Sequence, residues 1–132
     1  MNTHHFVRTN EDDLVVIPCK IDKDKITLAL DTGASHTTVD LTPLLLAGYS
    51  VSDAIGTEKI ETASGIIEAH IFVVRQMECL GITRQNFKLS AYDFFAYHFL
   101  ADFEGVLGLD FLKGTKFCID LDDQEITIQL KK

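Results

Sequence analysis

Apolar positions along this chain come in short runs, mostly five to eight residues, broken by turn-forming residues. "LVVIPCKI" (14–21) and "KITLAL" (25–30) flank "DKD", and their β-branched and aliphatic content predicts a β-hairpin. Pro18 places the first of these strands at an edge or a bulge, because proline has no N–H to give a ladder. "TPLLLAG" (42–48) reads as a short helix with Thr42 as N-cap, Pro43 at the first helical position and Gly48 ending it. "KIETASGIIEAHIFVV" (59–74) holds two strand-like segments around Ala63-Ser64-Gly65, a turn in which glycine supplies the positive backbone angle. "ITRQNFKLSAY" (82–92) alternates roughly as a strand, and "GVLGLDFLKG" (105–114) reads as a strand followed by a short helix. "KFCIDL" and "EITIQL" around "DDQ" predict a last hairpin. Many short strands and one or two short helices argue for an all-β barrel or sandwich. Residues 1–13 are polar and read as an extended lead-in, with 14–132 as one domain.

Composition narrows the function classes. The net charge is −8, which speaks against a nucleic-acid partner, since phosphate binding needs clustered Lys and Arg. The first residues lack a basic stretch leading into an apolar one, so no signal peptide is expected. No apolar run nears the ~20 residues that span a bilayer, so no membrane partner is expected. Cys19, Cys79 and Cys118 are odd in number, far apart and without a C-x-x-C, as in a cytoplasmic protein with reduced thiols. The histidines lack ligand spacing, and neither a metal nor another cofactor is expected.

The chemistry concentrates in "ALDTGASHTTV" (29–39), where an apolar strand runs into Asp31 and then into small and hydroxylated residues. A buried carboxylate is costly unless hydrogen-bonded. Backbone N–H groups after Asp31, with the hydroxyls of Thr32 and Ser35, offer such bonds, and Gly33 permits close approach. The plain alternative is a strand-end aspartate capping a turn, since a bare Asp-Thr-Gly occurs by chance.

Context favours more than a turn. "LALDTGASHTTV" resembles the signature of the retropepsin-like aspartic proteases, and "GVLGLDFL" (105–112) looks like the apolar-apolar-Gly segment before that family's short C-terminal helix. The resemblance runs from about Leu14 to the C-terminus. It implies a closed acid-protease barrel with a flap hairpin, and an aspartic endopeptidase acting on polypeptides. Such chemistry needs two carboxylates sharing one proton. The chain carries one Asp-Thr-Gly, so the resemblance implies a homodimer in which two copies of Asp31 meet on a two-fold axis. Asp110 would be structural.

The same resemblance makes Asp31, Thr32 and Gly33 the catalytic group, with Thr32 bonding across the two-fold. It places Ala34, Ser35, His36, Thr38 and Val106 along the substrate. Ala34 stands where pepsin-like relatives put a hydroxyl donor, which implies activity less confined to acid pH. His36 reads equally as an exposed turn residue, and Thr38 and Val106 as ordinary core. Ala63, Ser64, Gly65 and Ile66 would form a flap that closes over substrate, with Ile66 and Ile67 covering it. Leu109 and Ser35 depart from retroviral members, which pair an Arg with an acid there, so the dimer contact is expected to be built differently. The alternating "EITIQLKK" could belong to that contact or be an internal strand. "YDFFAYHF" (92–99) reads as core or as a flank of the cleft. The competing function is a non-catalytic dimerisation or peptide-binding module on the same barrel.

Overall fold

Each short apolar run needs partners for its backbone polar groups, and here the strands find them in two sheets. The computed structural model describes residues 2–8, 10–62, 65–94 and 103–131. Its elements are β1 (Asn2–His5), β2 (Val16–Ile21), β3 (Asp24–Leu30), β4 (Thr38–Asp40), α1 (Leu41–Leu46) and a 3₁₀ turn (Val51–Asp53). There follow β5 (Gly56–Thr62), β6 (Gly65–Cys79), β7 (Ile82–Tyr92), β8 (Gly105–Leu107), α2 (Leu109–Leu112), β9 (Thr115–Asp120) and β10 (Glu125–Leu130).

The larger sheet runs β2-β3-β8-β4-β7-β6-β5, and an added β2–β6 pairing closes it into a six-stranded barrel with β5 outside the ring. β3 and β8 are parallel, with Ala29 opposite Val106 and Leu30 opposite Leu107. β8 and β4 are antiparallel, with Thr38 opposite Val106. Thus β8, distant in sequence, is inserted between two consecutive strands, and the 31–37 connection must bend around its end. Leu28, Val39, Val74, Leu107 and Phe111 are completely or almost completely shielded inside the barrel.

Local chemistry sets the turns. Asp22 takes a positive φ of 56° in the β2–β3 turn, a conformation Asp tolerates. Leu80 and Gly81 both have positive φ in the two-residue β6–β7 turn, as a tight right-twisted hairpin requires. Gly65 at φ 117° opens β6 next to the β5–β6 turn, in line with the expectation from the sequence. Pro18 is exposed just before the point where β6 joins β2, at Cys19–Ile21, so its missing donor costs no β6 bond.

Three sequence expectations need correction or resolution. Asn2–His5 is no mere lead-in: it pairs with β10 from Asn2 opposite Ile128 to His5 opposite Glu125. Its polar residues hid this because the pairing rests on backbone hydrogen bonds to β10. The helix starts at Leu41 with Asp40, not Thr42, as N-cap residue, which puts Pro43 at the third helical position. Asp40 does not cap with its side chain; its Oδ1 accepts from Phe94 N at 3.1 Å. The helix does end as expected, at Gly48 with φ 102°, whose N–H donates to Leu45 O. The C-terminal alternation resolves as an internal strand: Ile126 and Ile128 are each 1% exposed in the chain's own core. Among the described residues, no helix is long and apolar enough to cross a membrane.

The barrel seam is short: Cys19 faces Cys79, Lys20 faces Glu78, and Ile21 faces Met77. Both seam thiols are buried and unbridged, whereas Cys118 is exposed. Burial pushes the Cys79 thiol far up, with its hydrogen bond to Cys19 adding to the effect, so it stays protonated and inert. A maleimide probe should therefore label the native protein once, at Cys118, and three times after unfolding. Rapid native labelling at Cys19 or Cys79 would show that the seam opens.

Candidate active site

The 31–37 loop is built by its own backbone and by β8. Asp31 N donates to Leu107 O at 3.1 Å, Ala34 N to Asp31 O at 3.1 Å, and Leu109 N to Ala34 O at 2.8 Å. These bonds tie the loop to the strand it bends around. Asp31 itself is exposed at the end of β3, and its Oδ1 accepts from Gly33 N at 2.8 Å. A Cβ on Gly33 would lie 3.1 Å from that oxygen, so any larger residue would push the carboxylate aside by a few tenths of an ångström. The arrangement holds a carboxylate in a fixed direction, open to solvent on the cleft side.

Beneath the loop lies a lock that the sequence hid. Thr37 is fully buried, and its N–H and hydroxyl donate to the two Asp110 oxygens, at 3.0 and 2.7 Å. Asp110 Oδ1 also accepts from Phe111 N at 2.8 Å, and Thr37 Oγ1 accepts from Gly108 N at 3.1 Å. The structural part expected of Asp110 is therefore concrete: it gathers three donors from two distant segments. The available signal was an acid inside the otherwise apolar "GLDFL", which demands partners. Arg84 secures the far end of α2 by donating to Phe111 O at 3.1 Å from Nε and 2.7 Å from Nη2.

Gly108 sits where the loop comes closest. A Cβ there would lie 2.7 Å from His36 C and 2.8 Å from the Ala34 and His36 carbonyl oxygens, all backbone atoms. Gly108→Ala should therefore push the Asp31 loop off β8 and cost about 1–3 kcal/mol, as overpacking does. Denaturant titration checks this, and an unchanged midpoint would mean the contact is slack.

The carboxylate looks into a cleft of about 550 Å³. Of the residues expected along the substrate, Ala34, Ser35, His36, Thr38 and Val106 line it together with Asp31 and Gly33. Ser35 Oγ lies 2.9 Å from His36 Nδ1, so this hydroxyl is directed at the imidazole rather than at Asp31. β5 also lines the cleft, with Glu58, Lys59, Ile60 and Glu61, and so does Tyr92 from β7. These β5 residues were missed, because strand alternation in sequence does not say which face meets the cleft.

The β5–β6 hairpin lines this cleft through β5, while Gly65 and Ile66 near its tip are not among the lining residues. Ile66 is 71% exposed near its tip, while Ile67 is 2% exposed. Ile67 therefore does not cover the cleft. It packs with Ala69, Tyr92 and Phe94 in a second small core under the hairpin, with Ile60 against it. Tyr92 and Phe94 rings lie 4.6 Å apart, which places the start of "YDFFAYHF" in that core. Burial, with Asp40 nearby, holds the Tyr92 phenol above its ordinary range. Ala63 and Ser64, expected at the flap tip, and residues 95–99 of the aromatic run lie outside the described residues.

Comparison with known proteins places this geometry. A family model described as aspartyl protease matches residues 17–111. No curated protein matches the sequence. Among solved structures, a retropepsin-like aspartic protease from Rickettsia conorii superposes with a TM-score of 0.72 at 24% identity, over 96% of this chain and 90% of that one. The fold is thus retropepsin-like, as the Asp-Thr-Gly and Gly-Leu-Asp segments implied.

Proposed function

This chain belongs to the aspartyl protease family, and from that premise we propose that it is an endopeptidase whose active unit is a homodimer, with one Asp31 from each subunit. The observation that carries the reading is the state of Asp31. It is exposed, aimed by Gly33 N–H, set in the wall of a cleft, and it belongs to the one Asp-Thr-Gly in the sequence. A carboxylate presented outward in this way has its natural partner in a second copy, because a two-fold axis sets identical groups face to face.

In that dimer the two acids share one proton, since like charges at close range do not both ionise. The ionised member accepts a proton from a bound water as its oxygen attacks the peptide carbonyl carbon. The protonated member donates to the carbonyl oxygen, giving a tetrahedral diol without a covalent enzyme intermediate. Proton transfer to the amide nitrogen then breaks the C–N bond and releases an acid and an amine. Thr32, exposed in the same loop, bonds across the axis, and Gly33 lets substrate backbone approach. Ser35, His36, Thr38 and Val106 contact substrate, and the flap with Gly65 and Ile66 closes over it. Leu109, 44% exposed and tied through its N–H to Ala34 O, is an apolar surface that the second subunit covers.

Incubation of the purified protein with a diverse peptide mixture, read by mass spectrometry alongside solution molar mass, tests the reading. New termini and a dimer mass are expected. A stable dimer that cleaves nothing would favour the binding-module alternative.

A further inference from the structure

We propose that Glu58 is a specificity-determining carboxylate which selects a long basic side chain, Lys or Arg, at one position of the bound polypeptide. The inference rests on the polypeptide-cleft reading above and adds the substrate class. Glu58 and Asp31 line the same cleft. One Glu58 oxygen accepts from the hydroxyl of Ser90, a residue only 5% exposed on β7. That bond anchors the carboxylate from behind while the residue as a whole stays exposed. Among the described residues its second oxygen has no hydrogen-bond partner, and it is placed to receive a donor from a ligand.

The surroundings fit a basic side chain. Glu58 pairs with Ala69 and Ile60 with Ile67 across the hairpin, so alternation puts Glu58 and Ile60 on the inward face of β5. Ile60, Tyr92 and Val106 give apolar walls against which a Lys or Arg stem can lie while its charged head reaches the carboxylate. The cleft also holds cationic groups. Lys59 is on the other face of β5, where Glu61 lies two residues along with opposite charge. His36 Nδ1 is engaged by Ser35 Oγ. Asp31, sharing a proton with its partner, adds further negative charge. The inner cleft is therefore net acidic, in keeping with a chain of charge −8.

A test that does not need turnover uses Asp31→Asn protein and fluorescent neutral octapeptides carrying a single Lys, norleucine or Glu at each position in turn. At one position, Lys should bind roughly tenfold more tightly than norleucine, as a charge-assisted hydrogen bond provides, and Glu more weakly than either. Adding Glu58→Gln keeps an acceptor for Ser90 and removes the charge. The Lys-to-norleucine ratio should then fall to about one. A purely structural Glu58 would leave that ratio unmoved by Gln, and this result overturns the proposal. Binding and wild-type cleavage without any basic preference would do so too, while sparing the protease reading. If no peptide binds and none is cleaved, both fall together.

Discussion

Asp31→Asn will reduce peptide-bond cleavage by roughly 10⁴-fold, the scale on which loss of an essential acid–base group is felt, and will leave the fold intact. Asn presents an oxygen to Gly33 N–H as Asp does, so the loop keeps its 2.8 Å bond. Because the side chain is exposed, stability should shift by no more than about 0.5 kcal/mol. What Asn cannot do is take a proton from water. The dimer reading adds a sharper consequence. When equal amounts of wild type and variant exchange subunits, random pairing leaves about a quarter of dimers with two aspartates, against a half without exchange. Activity should therefore drop to about half of the unexchanged mixture. Activity that does not change on exchange would mean that each subunit works alone, and the shared dyad would have to be abandoned.

Asp110→Ala is expected to be the most damaging substitution away from the catalytic carboxylate. It strips acceptors from Thr37 N, Thr37 Oγ1 and Phe111 N at once. Thr37 is fully buried, so water cannot easily replace the lost partner. Unsatisfied buried donors cost ~1–3 kcal/mol each, and their shared site makes the sum less than additive, so a loss of about 3–4 kcal/mol follows. Asp110→Asn should cost less, because one oxygen remains to accept. Thr37→Val removes the hydroxyl from the other side, and the double variant should lose less than the two single losses together. Urea titration of the four proteins measures the coupling. A loss below about 1 kcal/mol for Asp110→Ala would show that the lock contributes little to stability. Cleavage should fall with it, since Thr37 closes the loop that aims Asp31.

Much of this was legible in the chain because it is local chemistry. The strand into Asp31, the glycine that clears its oxygen, the flanking segments of the hairpins and Gly48 ending α1 each follow from a few neighbouring residues. Even the error at the helix start has a local form. Thr42 is a good cap by type, but the helix begins one residue earlier, at Leu41, with Asp40 as N-cap residue and its side chain turned to Phe94 N. The strand at Asn2–His5 escaped for the opposite reason. Backbone bonds to β10 need no apolar pattern, and polar side chains left no periodic trace.

The sequence by itself determined that a carboxylate would end an apolar strand in an all-β chain, since residue type and order suffice for that, while its outward presentation was implied by the family resemblance. Tertiary structure alone decided the insertion of β8 between β3 and β4, the bond from Thr37 to an acid 73 residues away, and the facing of Glu58 into the cleft. Those features depend on which distant segments meet and on which face of a pleated strand turns inward. A one-residue change of register would reverse that face while leaving the local pattern almost as it was.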